Sequence, residues 1–219
     1  MTAIRSARRR RAGSPVGRLS RGFVSMEVAI ITPLLFLLLL GFGELYMYLR
    51  AVSMVEHTAY VLADSLGQRN QVYNSQTVTD PDNLGSIWYA ATLLSSPLSL
   101  QTKGGVVITS ICDQTTSCAP PSANSPSMAS GTPIVYWSAA APWVTTVKSK
   151  VGSSGSSLLP GGWPYRAGDS AVIVEVFLTY RPFLMTAAFW SGAPGTTTIY
   201  KRVTVYPRTG KPLPLKTPS

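Results

Sequence analysis

Few side chains in this 219-residue chain could do chemistry, and they are widely spaced. Two carboxylates, Glu27 and Glu44, bracket sixteen uncharged residues, where a charge is costly unless it meets a partner. Cys112 and Cys118 have five residues between them, and His57 is the sole histidine. Two cysteines and one distant histidine are too few for a zinc site, and the spacing is not that of a C-x-x-C redox centre. A structural disulfide is the leading reading of the pair, which implies an oxidising compartment; two free thiols are the alternative. Asp80 and Asp82, in TDPDN, suit a turn better than a calcium loop. No G-x-S-x-G elbow or phosphate-binding glycine loop occurs. No enzymatic activity and no cofactor are expected.

The carboxylates are positioned by the segment RGFVSMEVAIITPLLFLLLLGFGELYMYLR, residues 21–50. From Phe23 to Leu49 it would span roughly 40 Å as a helix, enough for a hydrocarbon core of about 30 Å and its interfaces. Glu27 and Glu44 then fall near opposite interfaces, and Pro33 is a tolerable defect inside the membrane. A cleaved secretory signal is disfavoured, because bulky GELYMYLR follows the apolar run where small residues are required. A twin-arginine address is disfavoured by the spacer between Arg8–Arg11 and that run.

The formal charge of +10 is concentrated at one end: seven arginines precede Phe23 with no acid among them. Clustered arginines can neutralise nucleic-acid phosphates. Here they lie without interleaved aromatics just ahead of a membrane-length segment, where basic residues fix topology. No nucleic-acid partner is expected. The N-terminus is placed in the cytoplasm and the body outside the cytoplasmic (inner) membrane, as a single-pass protein.

Arg21-Gly22-Phe23-Val24-Ser25-Met26-Glu27, followed by an apolar helix, resembles the processing site of type IV prepilins and pseudopilins. With the proline-containing run and Gly41-Phe42-Gly43-Glu44 at its end, it resembles more narrowly the TadE-like pseudopilins of the tight-adherence pilus system. The resemblance implies cleavage between Gly22 and Phe23 by a membrane aspartyl prepilin peptidase. It also implies an assembly or alignment role for Glu27, with other pseudopilins and the pilus assembly platform as partners. Cleavage would leave the Phe23 ammonium about one helical turn from Glu27. Opposite charges 4 Å apart attract by about 4 kcal/mol at an effective dielectric of about 20, and desolvation takes back much of this. A solvated interfacial carboxylate is the plainer reading of Glu27. For Glu44, near the outer interface, that plainer reading is the stronger one.

Beyond the membrane segment, Val52, Val55, Ala59, Leu62 and Leu66 recur at spacings of three and four, which predicts a packed helical extension carrying His57. After Leu66 composition changes: fifteen of seventeen prolines lie there. A weak helical signal covers residues 83–94, and strands are predicted at 105–111, 133–138, 170–180 and 196–206. In the third, Val172, Val174, Val176, Leu178 and Tyr180 share one face while Ile173 and Phe177 flank Glu175 on the other, so both faces are expected to be partly covered. Gly168-Asp169 turns into this strand and Arg181-Pro182 ends it. GDSAVIVEVFLTYRPF also resembles a strand of TadE-like outer domains.

The expected fold is α+β, a long N-terminal transmembrane helix running into a small antiparallel sheet domain. The expected divisions are a basic leader over 1–22, removed on processing, a transmembrane helix over 23–49 and its extension over 50–66. A β-rich extracytoplasmic domain over 67–206 and a disordered tail over 207–219 follow, with surface loops at 117–131 and 150–162. Two functions fit: a processed minor pseudopilin or assembly component of the pilus, or an uncleaved membrane-anchored binding module of the cell envelope.

Overall fold

A computed structural model describes residues 16–119, 129–144, 147–152 and 155–218. The Arg8–Arg11 cluster and most of the 117–131 loop lie outside the described residues. The α+β expectation holds. Helix α1 (Val16–Gly67) runs unbroken for 52 residues, about 78 Å. It begins inside the expected leader and passes through Pro33.

The two halves of α1 have opposite surroundings because their sequences do. From Met26 to Leu49 most of its large apolar side chains are exposed, including Ile30, Leu34, Phe36 and Phe42, while Leu37 and Tyr48 are half-buried. In the upper half, Ala51, Val55, Thr58, Ala59, Leu62, Ala63 and Leu66 are buried, and Val52 is half-buried. That helical stripe lies against a sheet, whereas His57 on the other side is exposed.

Strand β1 (Val72–Tyr73) precedes α2 (Leu84–Leu94) and the single turn α3 (Leu100–Lys103). The sheet is built from β2 (Gly104–Asp113), β3 (Pro133–Ala140), β4 (Ala171–Tyr180) and β5 (Thr197–Val205). It is antiparallel in the order β3-β2-β4-β5. The last strand, β6 (Leu215–Lys216), pairs in parallel with β1.

Strand β4 is central, and its alternation serves two cores. Val172, Val174, Val176 and Leu178 share one core with the buried faces of α1 and α2, Trp88 among them. Ala171 and Ile173 join Ile111, Leu158 and Leu159 on the far face. A strand covered on both faces reads as a near-continuous apolar run, as this one does.

Two expectations are corrected. Residues 207–218 are not a disordered tail: β6 completes a strand pair, and Leu213 is 1% exposed. Its carbonyl accepts the Trp137 indole N–H at 2.6 Å and the Ser110 hydroxyl at 3.1 Å, so a Pro- and Lys-rich segment is fixed by an apolar side chain and a carbonyl as well as by the strand pair. Nor is 150–162 only a surface loop, since Leu158 and Leu159 are the apolar filling of the second core.

Candidate functional site

The two carboxylates of α1 lie seventeen residues apart, about 26 Å along the helix, in contrasting environments. Glu27 is exposed among exposed apolar side chains, and no described residue hydrogen bonds to it. Gly22 and Phe23 fall on the helical backbone of α1; their surroundings lie outside the described side chains.

Glu44 is buried instead, with 5% of its surface exposed. Its Oε1 accepts the backbone N–H of Met185 at 2.5 Å, and its Oε2 accepts the N–H of Thr186 at 3.1 Å and the Thr186 hydroxyl. These donors belong to the loop that leaves β4 at Arg181-Pro182. The loop backbone closes on itself where the N–H of Phe189 donates to the Thr186 carbonyl at 3.0 Å. The Phe183 and Trp190 rings pack edge to face, 5.1 Å between centroids. Between loop and helix lies an apolar cleft of about 420 Å³, where Phe183, Phe189 and Trp190 face Leu37, Leu38 and Phe42. A larger groove of about 690 Å³ on the other flank carries the cations Arg50, Lys103 and Arg181 above Leu39 and Leu40.

Sequence reasoning gave Glu44 no role of its own. The G-x-x-E motif singled the residue out, but its partners follow β4, far along the chain. A side chain placed on Gly41 or Gly43 would meet nothing within 4 Å, so this chain's own packing does not demand either glycine.

Cys112 and Cys118 are joined by a disulfide at the end of β2, with 5.0 Å between their Cα atoms. Beside it Asp113, 1% exposed, organises three segments. It accepts the amide of Thr132 at 2.7 Å, that of Gly168 at 2.9 Å, that of Thr115 at 3.2 Å, and the Thr115 hydroxyl. Burial pushes the Asp113 carboxyl up, but these donors together outweigh it and hold the group below its usual range. Gly168 has φ of 88°, a conformation that suits glycine, so the turn predicted there also supplies a donor.

Glu175, fully buried on the far face of β4, accepts the Lys150 amide and the Tyr200 hydroxyl, each at 2.9 Å, and the Ser149 hydroxyl. Burial, followed by that bond to Glu175, raises the Tyr200 phenol above its ordinary range. Asp80 accepts the Asp82 amide at 2.8 Å, forming a turn, and Asp82 pairs with Arg69 at 2.5 Å. Among the described residues no three His, Cys, Asp or Glu side chains gather as a metal site. The buried carboxylates Glu44, Asp113 and Glu175 meet backbone amides and hydroxyls, an arrangement that fastens loops to the frame.

A family model described as TadE-like protein matches residues 22–64, a span that contains both Glu27 and Glu44. No curated protein and no solved structure matches the chain.

Proposed function

We propose, from the match of residues 22–64 to the TadE-like family model, a processed minor pseudopilin or assembly component of a tight-adherence, type IV-like pilus. In this reading prepilin peptidase cuts between Gly22 and Phe23, and α1 anchors the mature protein in the cytoplasmic membrane with its sheet domain outside. The observation that carries the reading is the contrast between the two acids. Glu44 has its donors within the chain, whereas Glu27 stands exposed on an apolar helix with no described partner. A carboxylate there is costly to hold and suits a partner from elsewhere, such as the ammonium of a processed terminus on this or a neighbouring subunit. Candidate membrane spans among the described residues number one, at Ser25–Gly67, and its most apolar window is 6% buried by the protein.

Processing tests the proposal. Intact mass and N-terminal sequencing from cells with and without the peptidase should give a chain starting at Phe23 only where the peptidase is present. Replacing Gly22 with a bulkier residue should block the cut while leaving insertion intact, because the arginines and apolar run that direct insertion are unchanged. A mature chain with any other start would overturn the assignment, and a chain left intact in both strains would favour the uncleaved anchor.

A further inference from the structure

The loop over residues 182–190 presents an apolar surface that the fold does not cover. Leu184 is 65%, Met185 61%, Phe189 67% and Trp190 46% exposed, at one end of the sheet domain. Leu184 and Met185 line the groove on one flank of α1, and Phe189 and Trp190 with Phe183 line the cleft on the other; exposed apolar surface of this kind marks an interaction site.

Its height along α1 identifies the occupant. The apolar run begins at Phe23, and crossing about 30 Å of hydrocarbon takes about 20 residues at 1.5 Å each, which carries the outer edge to about Phe42. Tilt of the helix only moves that edge further along the chain. Phe183, Phe189 and Trp190 share a cleft with Leu37, Leu38 and Phe42, so their side chains lie at or below the edge. Arg50 lies six residues beyond Glu44, about 9 Å higher, and lines the neighbouring groove with Lys103 and Arg181. Apolar and aromatic side chains below and cations above match the order of acyl chains and phosphates in a leaflet.

We propose that the 182–190 loop is a wedge seated in the outer leaflet of the bilayer that α1 crosses, with Arg50, Lys103 and Arg181 at the phosphates. Glu44 is what allows the loop to sit there. Irregular backbone cannot meet hydrocarbon with its amides unpaired, and the carboxylate accepts the Met185 and Thr186 amides at the boundary. The domain is thereby held to the membrane at two places, its helix and its loop. The inference rests on α1 crossing a membrane and is independent of processing or pilus assembly.

The test uses the full, unreduced chain with one added cysteine, labelled with an environment-sensitive fluorophore. The protein is reconstituted in phosphatidylethanolamine–phosphatidylglycerol vesicles with or without nitroxide on the upper acyl chain. Phe189→Cys and Leu184→Cys probe the loop and are tolerated because both side chains are exposed. Leu39→Cys probes the helix, and Val78→Cys, exposed on the segment between β1 and α2, is the aqueous control. Emission from both loop labels should fall with nitroxide lipid and resist aqueous iodide, while the Val78 label shows the reverse. Iodide quenching at Phe189 and Leu184, with Leu39 quenched by lipid, overturns the wedge and leaves the anchor standing. Shielding of the loop labels from both quenchers also overturns it, in favour of cover by a second copy or another protein. If Leu39 itself escapes the lipid nitroxide, the membrane reading of α1 fails and the wedge falls with it.

Discussion

The carboxylate of Glu44 and the backbone amide of Met185 are hydrogen bonded at 2.5 Å across 141 residues of chain, one on the anchor helix and one on the loop after β4. With the bonds to Thr186, this makes Glu44 a cap supplied from a distance: an anionic acceptor for amides that an irregular loop cannot pair internally. Removing the acceptor should free the loop without unfolding the sheet, whose ladders do not depend on it. In Glu44→Ala, amide exchange at Met185 and Thr186 should quicken while amides of β4 keep their protection. Glu44→Gln, which retains one carbonyl acceptor, should give an intermediate rate. Unchanged exchange at both amides in Glu44→Ala would refute the capping role.

Glu27 should behave differently. A Glu27→Gln protein is expected to insert and to be processed after Gly22, with its outer domain folded, yet to fail in pilus formation. Glutamine keeps size and hydrogen bonding but loses the charge that a terminal ammonium would meet. Normal surface pili, in cells where this variant is the only copy and is processed, would return Glu27 to a solvated interfacial role.

The Asp113 hub gives a pH dependence of definite sign. Its folded-state carboxyl lies below the usual Asp value of 3.8, so its stabilisation is full above that value. It is lost as pH falls through the depressed folded value. Melting temperatures of wild type and Asp113→Asn should therefore differ most near neutral pH and converge in acid below about pH 4. A gap that stays constant into strong acid would show that the charge is not what matters.

The cysteine pair should resist thiol labelling in exported protein until it is reduced. Closing a loop with a sequence separation of 6 stabilises by about 2 kcal/mol in the chain-entropy account. The double serine variant should then melt roughly 4–8 °C lower, the shift expected for a domain of this size. Rapid labelling without reductant would exclude the bond.

Leu213 tests whether the C-terminal segment belongs to the fold. Truncating a side chain that is 1% exposed leaves a cavity, so Leu213→Ala should cost about 2–5 kcal/mol. Deleting residues 207–219 should destabilise at least as much, since it also removes the carbonyl that accepts from Trp137 and Ser110. A denaturant midpoint unchanged by both alterations would mean that the segment is dispensable.

What could be read from the chain was whatever repeats along it. The spacing Val55, Ala59, Leu62, Leu66 announces one buried helix face, because residues three and four apart share a side. Alternation through Val172, Val174 and Val176 announces a strand, with Ile173 and Phe177 betraying a second covered face. Glu27 and Glu44 drew notice because charge in an apolar run is costly wherever the run ends up.

Tertiary structure alone decided who meets whom. Glu44 finds Met185, Asp113 finds Gly168 across 55 residues, and the Leu213 carbonyl finds Trp137 across 76. None of these partnerships leaves a periodic trace, because a backbone amide or carbonyl has the same chemistry at nearly every position. The C-terminal segment shows this best: Pro and Lys, with few apolar residues, read locally as a loose end. Its order comes from Leu213 filling a core that other strands build and from a β6 pairing with β1 that only the closed fold brings within reach.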